Sequence, residues 1–134
     1  MYRILHTTHN DKDKNMKKQT FGEYIREVRE AKNASDKTFS LRQVAGRIDV
    51  EPSYLSKVER GDEPNPSEQF IKKLSTELKI DENVALAMCG KVSLEAREII
   101  LKNPVIFVEL LNTLKNCSDD SILRIVREVK DGTW

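Results

Sequence analysis

Apolar residues recur along most of this chain three and four positions apart, and no stretch alternates in the way a half-buried strand requires. The first periodic set, Phe21, Tyr24, Ile25 and Val28, predicts a helix opened by Thr20 as N-cap. A second, Leu41, Val44, Ala45 and Ile48, follows the hydroxyl cap Ser40 and predicts a helix over 41–48. A third, over 52–60, starts with Pro52, whose missing N–H has no partner at a first helical position, and ends at Gly61, which accepts the left-handed conformation without steric cost. Ser67 then caps a helix through Phe70, Ile71, Leu74 and Leu78, and Asp81 caps a short one that Gly90 stops. Ser93, the Asn103-Pro104 pair, and Ser118 or Asp119 start three more. The fold class this predicts is all-α.

The stretch from Ser40 to Gly61 carries the most specific pattern. Two short amphipathic helices are joined by a turn too tight for a loop, and the small Ala45 lets the second approach the first closely, which is helix-turn-helix geometry. On the second helix Leu55 and Val58 point one way. Ser53, Ser56, Lys57 and Arg60 fall at i, i+3, i+4 and i+7 and make one polar stripe on the other side. Short hydroxyls and basic tips along one outward line suit a groove lined with phosphates and base edges.

Ser40, Ala45, Ser53-Tyr54-Leu55-Ser56-Lys57, Val58 and Glu59-Arg60-Gly61, with Phe21 to Leu78 around them, resemble the lambda-repressor-like DNA-binding domains of the Xre/Cro family. Pro66-Ser67 followed by Phe70, Ile71, Leu74 and Leu78 is similar to that family's fourth helix, and the resemblance covers about half the chain. It implies a five-helix DNA-binding domain with about three additional C-terminal helices, and a partly buried pair between Arg29 and the motif glutamate Glu59 in a structural role. Two positions depart from the family. Asp49 stands where a turn glycine is usual, so the turn is expected to be slightly opened or strained. Leu41 stands where many relatives carry a phosphate-touching glutamine, leaving Ser40 or Arg42 to substitute. The connection 33–39 is also longer than usual, with room for an extra loop near the DNA backbone.

The resemblance implies sequence-specific DNA binding and transcriptional regulation, most simply repression, by a homodimer reading a pseudo-palindromic operator on double-stranded DNA, with half-sites about 34 Å apart. Ser53, Tyr54 and Lys57 are the candidate base contacts, Lys57 donating to guanine and Ser53 bonding to either partner. Tyr54 sits between stripe and core, so it serves either as an apolar edge toward a thymine methyl or phosphate or as a packing residue. Ser40, Arg42, Gln43, Ser56 and Arg60 are the candidate backbone contacts. Lys72 and Lys73 read as a solvated face, with a backbone contact as the alternative.

Composition alters little. The net charge is +1 and 34% of residues are charged, which is not the balance of a strongly basic protein. Residues 1–80 hold 16 Lys/Arg against 13 Asp/Glu and residues 81–134 hold 7 against 9, so the basic excess lies with the binding helix. Cys89 and Cys117 have no CxxC or nearby histidine and read as reduced, buried thiols. With no long apolar run and no secretory signal pattern, a cytoplasmic or nucleoid-associated protein of bacterial or phage origin is expected, with no membrane partner.

Residues 1–19 read as a flexible polar arm, 20–90 as the DNA-binding domain and 91–134 as a helical region for dimerisation or partner binding. In the arm, Asp11, Asp13 and Asn15 copy the start of a calcium loop, but Met16 and Gly22 occupy the positions of its turn glycine and bidentate glutamate. His6 and His9 are too few for a metal site, Met16 is a candidate alternative start, and Lys12, Lys14, Lys17 and Lys18 could reach a minor groove. No cofactor, metal site, phosphate loop or nucleophile-base pairing is expected, hence no enzyme. In the C-terminal region Val105, Ile106, Val108, Leu110, Leu111 and Leu114 cover more than half of one helix, and Ile122, Ile125, Val126 and Val129 stripe the next. Such a surface fits self-association, a protein partner, or packing onto the domain before it. An antitoxin-like or adaptor protein that binds a partner through 91–134 and DNA only for autoregulation is the second reading.

Overall fold

The computed structural model describes residues 18–132. The polar arm through Lys17, with His6, His9 and the broken calcium-loop copy, lies outside the described residues, as does Trp134. All regular elements among the described residues are helical, and they separate into two compact units, 18–93 and 94–132.

The first unit begins with α1, Phe21–Asn33. Its start is a capping box: the Glu23 amide donates to the Thr20 hydroxyl at 3.1 Å, and the Thr20 amide donates back to the Glu23 carboxylate at 3.1 Å. A single 3₁₀ turn, Lys37–Phe39, follows, and Ser40 then caps α2, Leu41–Arg47, by accepting from the Gln43 amide. Thus the long connection 33–39 is not a free loop but an ordered turn, whose Phe39 packs against the core.

Between α2 and α3, Pro52–Arg60, the chain reverses at Asp49, whose φ of 59° is left-handed. The turn is closed rather than opened. The Val50 amide donates to the Ala45 carbonyl at 3.0 Å and the Asp49 amide to Gly46, the hydrogen bonds of a tight helix end. Asp, unlike a β-branched residue, tolerates this region at modest cost. Gly61 ends α3 at φ 83°, its amide and that of Asp62 returning to Val58 and Lys57. Ser67 caps α4, Glu68–Leu78, and Asp81 caps α5, Glu82–Met88. Lys79 closes α4 in the left-handed region at φ 56°.

These helices share one core, in which Ile25, Val44, Ala45, Leu55 and Ile71 are fully buried. Gly22 sets how closely α1 meets the end of α3. A Cβ there would lie 2.4 Å from the Val58 carbonyl oxygen and 2.6 Å from that of Glu59, so only glycine permits this contact. The second unit comprises α6, Leu94–Lys102, α7, Pro104–Leu114, and α8, Asp119–Asp131. Pro104 opens α7 and the Ser118 hydroxyl caps α8 through the Ser121 amide. No residue of these three helices is buried.

Candidate nucleic-acid interface

Helix α3 divides its residues between two jobs. Leu55, Val58 and Glu59 are buried, whereas Ser53, Lys57 and Arg60 are exposed and Ser56 is half-buried. The 3.6-residue period puts both sets on one short helix, so anchoring the inner face orients the outer one.

The anchor includes a charge pair. Arg29 of α1 donates from Nε to Glu59 Oε2 at 2.7 Å and from Nη2 to Oε1 at 2.9 Å, while its Nη1 reaches the Phe39 carbonyl at 3.2 Å. Both side chains are buried, and this fork-to-fork geometry ties α1, the 3₁₀ turn and α3 together. With its donors engaged and its charge matched, the pair is scaffold rather than contact surface.

Of the candidate base contacts, Ser53 and Lys57 are exposed, and their side chains make no hydrogen bond or ion pair among the described residues. Tyr54 differs. Its ring meets Phe70 of α4 edge-on, with centroids 5.1 Å apart, and burial pushes its phenol pKa up, with Glu63 adding to the rise. Its ring belongs to the joint between α3 and α4, as the packing alternative requires, and the residue is half-buried.

The candidate backbone contacts also separate. Arg42 and Gln43 project from the exposed side of α2, without side-chain partners among the described residues. The Ser40 hydroxyl is already engaged as the α2 cap. Arg60 donates to the Ser56 hydroxyl at 2.6 Å and to Asp62 at 3.0 Å, so Ser56 and Arg60 form one linked unit.

Sequence patterns gave no sign of the cations that hold the far end of α2. Arg47 bonds Glu77 of α4 and lies 5.2 Å from the centroid of the Phe39 ring, which Lys32 of α1 approaches at 5.5 Å. A basic residue at a helix end reads as a surface charge until the 3₁₀ turn delivers an aromatic face to it. Lys72 and Lys73 line an open cavity of about 370 Å³ with Arg47, Asp49 and Thr76. Both cysteines are free but half-buried rather than buried; burial still pushes the Cys89 thiol pKa up, against the opposing effect of Lys91.

Comparison with known proteins agrees with this geometry. A family model described as a helix-turn-helix domain matches residues 20–85. The HTH-type transcriptional regulator SlrR of Bacillus subtilis (strain 168) is 49% identical over 45 residues, which cover 34% of this chain and 30% of that relative. The HTH-type transcriptional regulator SinR, in Bacillus subtilis (strain 168) and in Bacillus licheniformis, is 39% identical over 51 residues, which cover 38% of this chain and 46% of the relative. The matched segments therefore span less than half the length of these relatives. No solved structure matches the chain. Residues 20–85 of this chain are thus a helix-turn-helix domain, in an all-α, lambda-repressor-like fold.

Proposed function

We propose that this protein is a sequence-specific DNA-binding transcriptional regulator of the cytoplasm, acting as a repressor, with α3 laid in the major groove. The observation that carries this reading is the exposed, unpaired stripe of Ser53 and Lys57 on a helix fixed from behind by Leu55, Val58 and the Arg29–Glu59 pair. Lys57 donates to guanine O6 or N7, Ser53 bonds a neighbouring base, and Arg42, Gln43, Ser56 and Arg60 hold phosphates that set the register. Ser40 acts on that register through the α2 cap. Tyr54 is proposed mainly to fix the pitch of α3 against Phe70, leaving its outer edge to a thymine methyl or phosphate. No catalytic step is assigned, and the relatives named above are transcriptional regulators.

Homodimerisation through 94–132 would present two such helices about 34 Å apart and make the operator pseudo-palindromic. Support comes from the exposed Val105, Ile106, Val108, Leu110 and Leu111 of α7, which need a cover in water. The same exposure favours the second reading, in which a different protein covers α6–α8 and DNA binding serves autoregulation. No described helix is long and apolar enough to cross a membrane.

Fluorescence anisotropy with the duplex upstream of the protein's own gene, beside a random duplex and at several salt concentrations, tests the regulator reading. Binding to the upstream duplex about 10³-fold or more tighter than to the random one is expected, and a ratio near one would overturn it. Lys57→Ala is expected to lose about 1–3 kcal/mol and to relax preference at one or two base pairs. Unchanged affinity and salt slope would remove Lys57 from its role. Sedimentation of the full chain separates the two covers of α6–α8: a dimer supports self-association, and a monomer supports the partner reading.

A further inference from the structure

Between α1, α2 and α3 lies a cavity of about 240 Å³ lined by Arg26, Arg29, Leu41, Ser56, Glu59 and Arg60. Its two buried charges, Arg29 and Glu59, neutralise each other. The two exposed ones, Arg26 and Arg60, do not belong to that pair. Each is instead engaged with a carboxylate beside it on its own stretch of chain: Arg26 Nε with Glu30 at 2.9 Å, and Arg60 Nε with Asp62 at 3.0 Å. All four side chains are more than half exposed, so water competes for both pairs and neither resists exchange. Ser56 adds a hydroxyl to the same cavity, and Ser56 and Arg60 both belong to the polar stripe of α3.

We propose that this cavity is a clamp for one backbone phosphate of bound DNA, with Arg26 of α1 and Arg60 of α3 exchanging their carboxylate partners for phosphate oxygens. Resting on the DNA-binding reading above, it adds a contact from α1, a helix to which that reading assigns none. Guanidinium suits the role because its planar fork takes phosphate oxygens in pairs, whereas Glu30 and Asp62 hold the two forks in place while no DNA is present. The neutral Arg29–Glu59 floor neither attracts nor repels the anion, so the rim arginines supply the attraction. The space is several water volumes of about 30 Å³ each, enough for a phosphodiester group.

The test is a salt titration of binding to a random duplex, since a phosphate clamp does not depend on base sequence. In the full chain, Arg26→Ala is expected to weaken binding about three- to tenfold at low salt and to reduce the slope of log affinity against log salt by about 1. Lys102→Ala, which removes the same charge on α6, is expected to leave that slope unchanged. Glu30→Gln frees Arg26 without touching it and is expected to tighten binding a few-fold. Circular dichroism melts confirm that each variant folds. If the parent binds while Arg26→Ala and Glu30→Gln both match it in affinity and slope, the clamp is refuted and the DNA-binding reading stands. If the parent binds neither the random nor the upstream duplex, both fall.

Discussion

Helices α4 and α7 are each eleven residues long, and they treat their apolar side chains in opposite ways. In α4, Phe70, Ile71, Leu74 and Leu78 share one stripe and are buried, while Lys72 and Lys73 face water. In α7, Val105, Ile106, Val108, Leu110 and Leu111 spread around the helix and none is buried; Val105 is 78% exposed. One neighbouring helix can cover a narrow stripe, but an apolar surface broader than that needs several covers. A buried Leu or Ile contributes about 1.5–3 kcal/mol relative to an exposed one, so stability concentrates in 18–93. The apolar surface of 94–132 is driving force still available for association.

The sharpest way to break this contrast is at the buried ion pair. Glu59→Ala leaves Arg29 buried without its counter-charge and is expected to cost about 3–5 kcal/mol in urea denaturation followed by circular dichroism. A loss below about 1 kcal/mol would mean that water reaches Arg29 and that the inner face of α3 is not a closed anchor. Next in size is a matched pair of truncations. Leu74→Ala in α4 is expected to cost about 2–5 kcal/mol, and Leu111→Ala in α7 less than about 0.5 kcal/mol at concentrations where the chain is monomeric. Equal losses would abolish the distinction between the two helices.

Gly22→Ala is expected to destabilise the first unit by about 1–3 kcal/mol, because the added methyl meets backbone carbonyls that cannot swing away. A thermal midpoint equal to the parent's would show that α1 and α3 are less tightly apposed. Asp49→Gly is the smallest effect and has the opposite sign. Releasing the left-handed strain is expected to stabilise by up to about 1 kcal/mol, partly offset by the greater freedom glycine has in the unfolded chain. Destabilisation there would show that the aspartate side chain supports the turn.

Helix starts were legible because their chemistry is local. Thr20, Ser40, Ser67, Asp81 and Ser118 each accept from amides two or three residues on, and Pro52 and Pro104 sit where a missing N–H costs nothing. The two faces of α3 were equally legible, since a 3.6-residue period needs no partner to be read. What escaped was set by distant segments. Phe39 lay in a connection expected to loop until Lys32 and Arg47 closed on its ring, and nothing in the sequence marked Arg47 until Glu77 of α4 reached it. Gly22 drew notice only as a misfit in a calcium pattern, because its importance lies in carbonyls about 36 residues away along the chain.

By itself, then, the order of residues determined where the α-helices among the described residues start and, for α1 to α4 and α8, which face is apolar, because propensity, capping and periodicity act over a few residues. Tertiary structure alone decided which apolar faces find a cover, how closely α1 meets α3, and which cations are engaged in scaffold pairs. Those outcomes depend on distances between segments far apart in the chain, and no local pattern encodes them. Thus Lys57 and Arg29, both basic residues on amphipathic helices, became an exposed cation on the outer face of α3 and a buried tie between two helices.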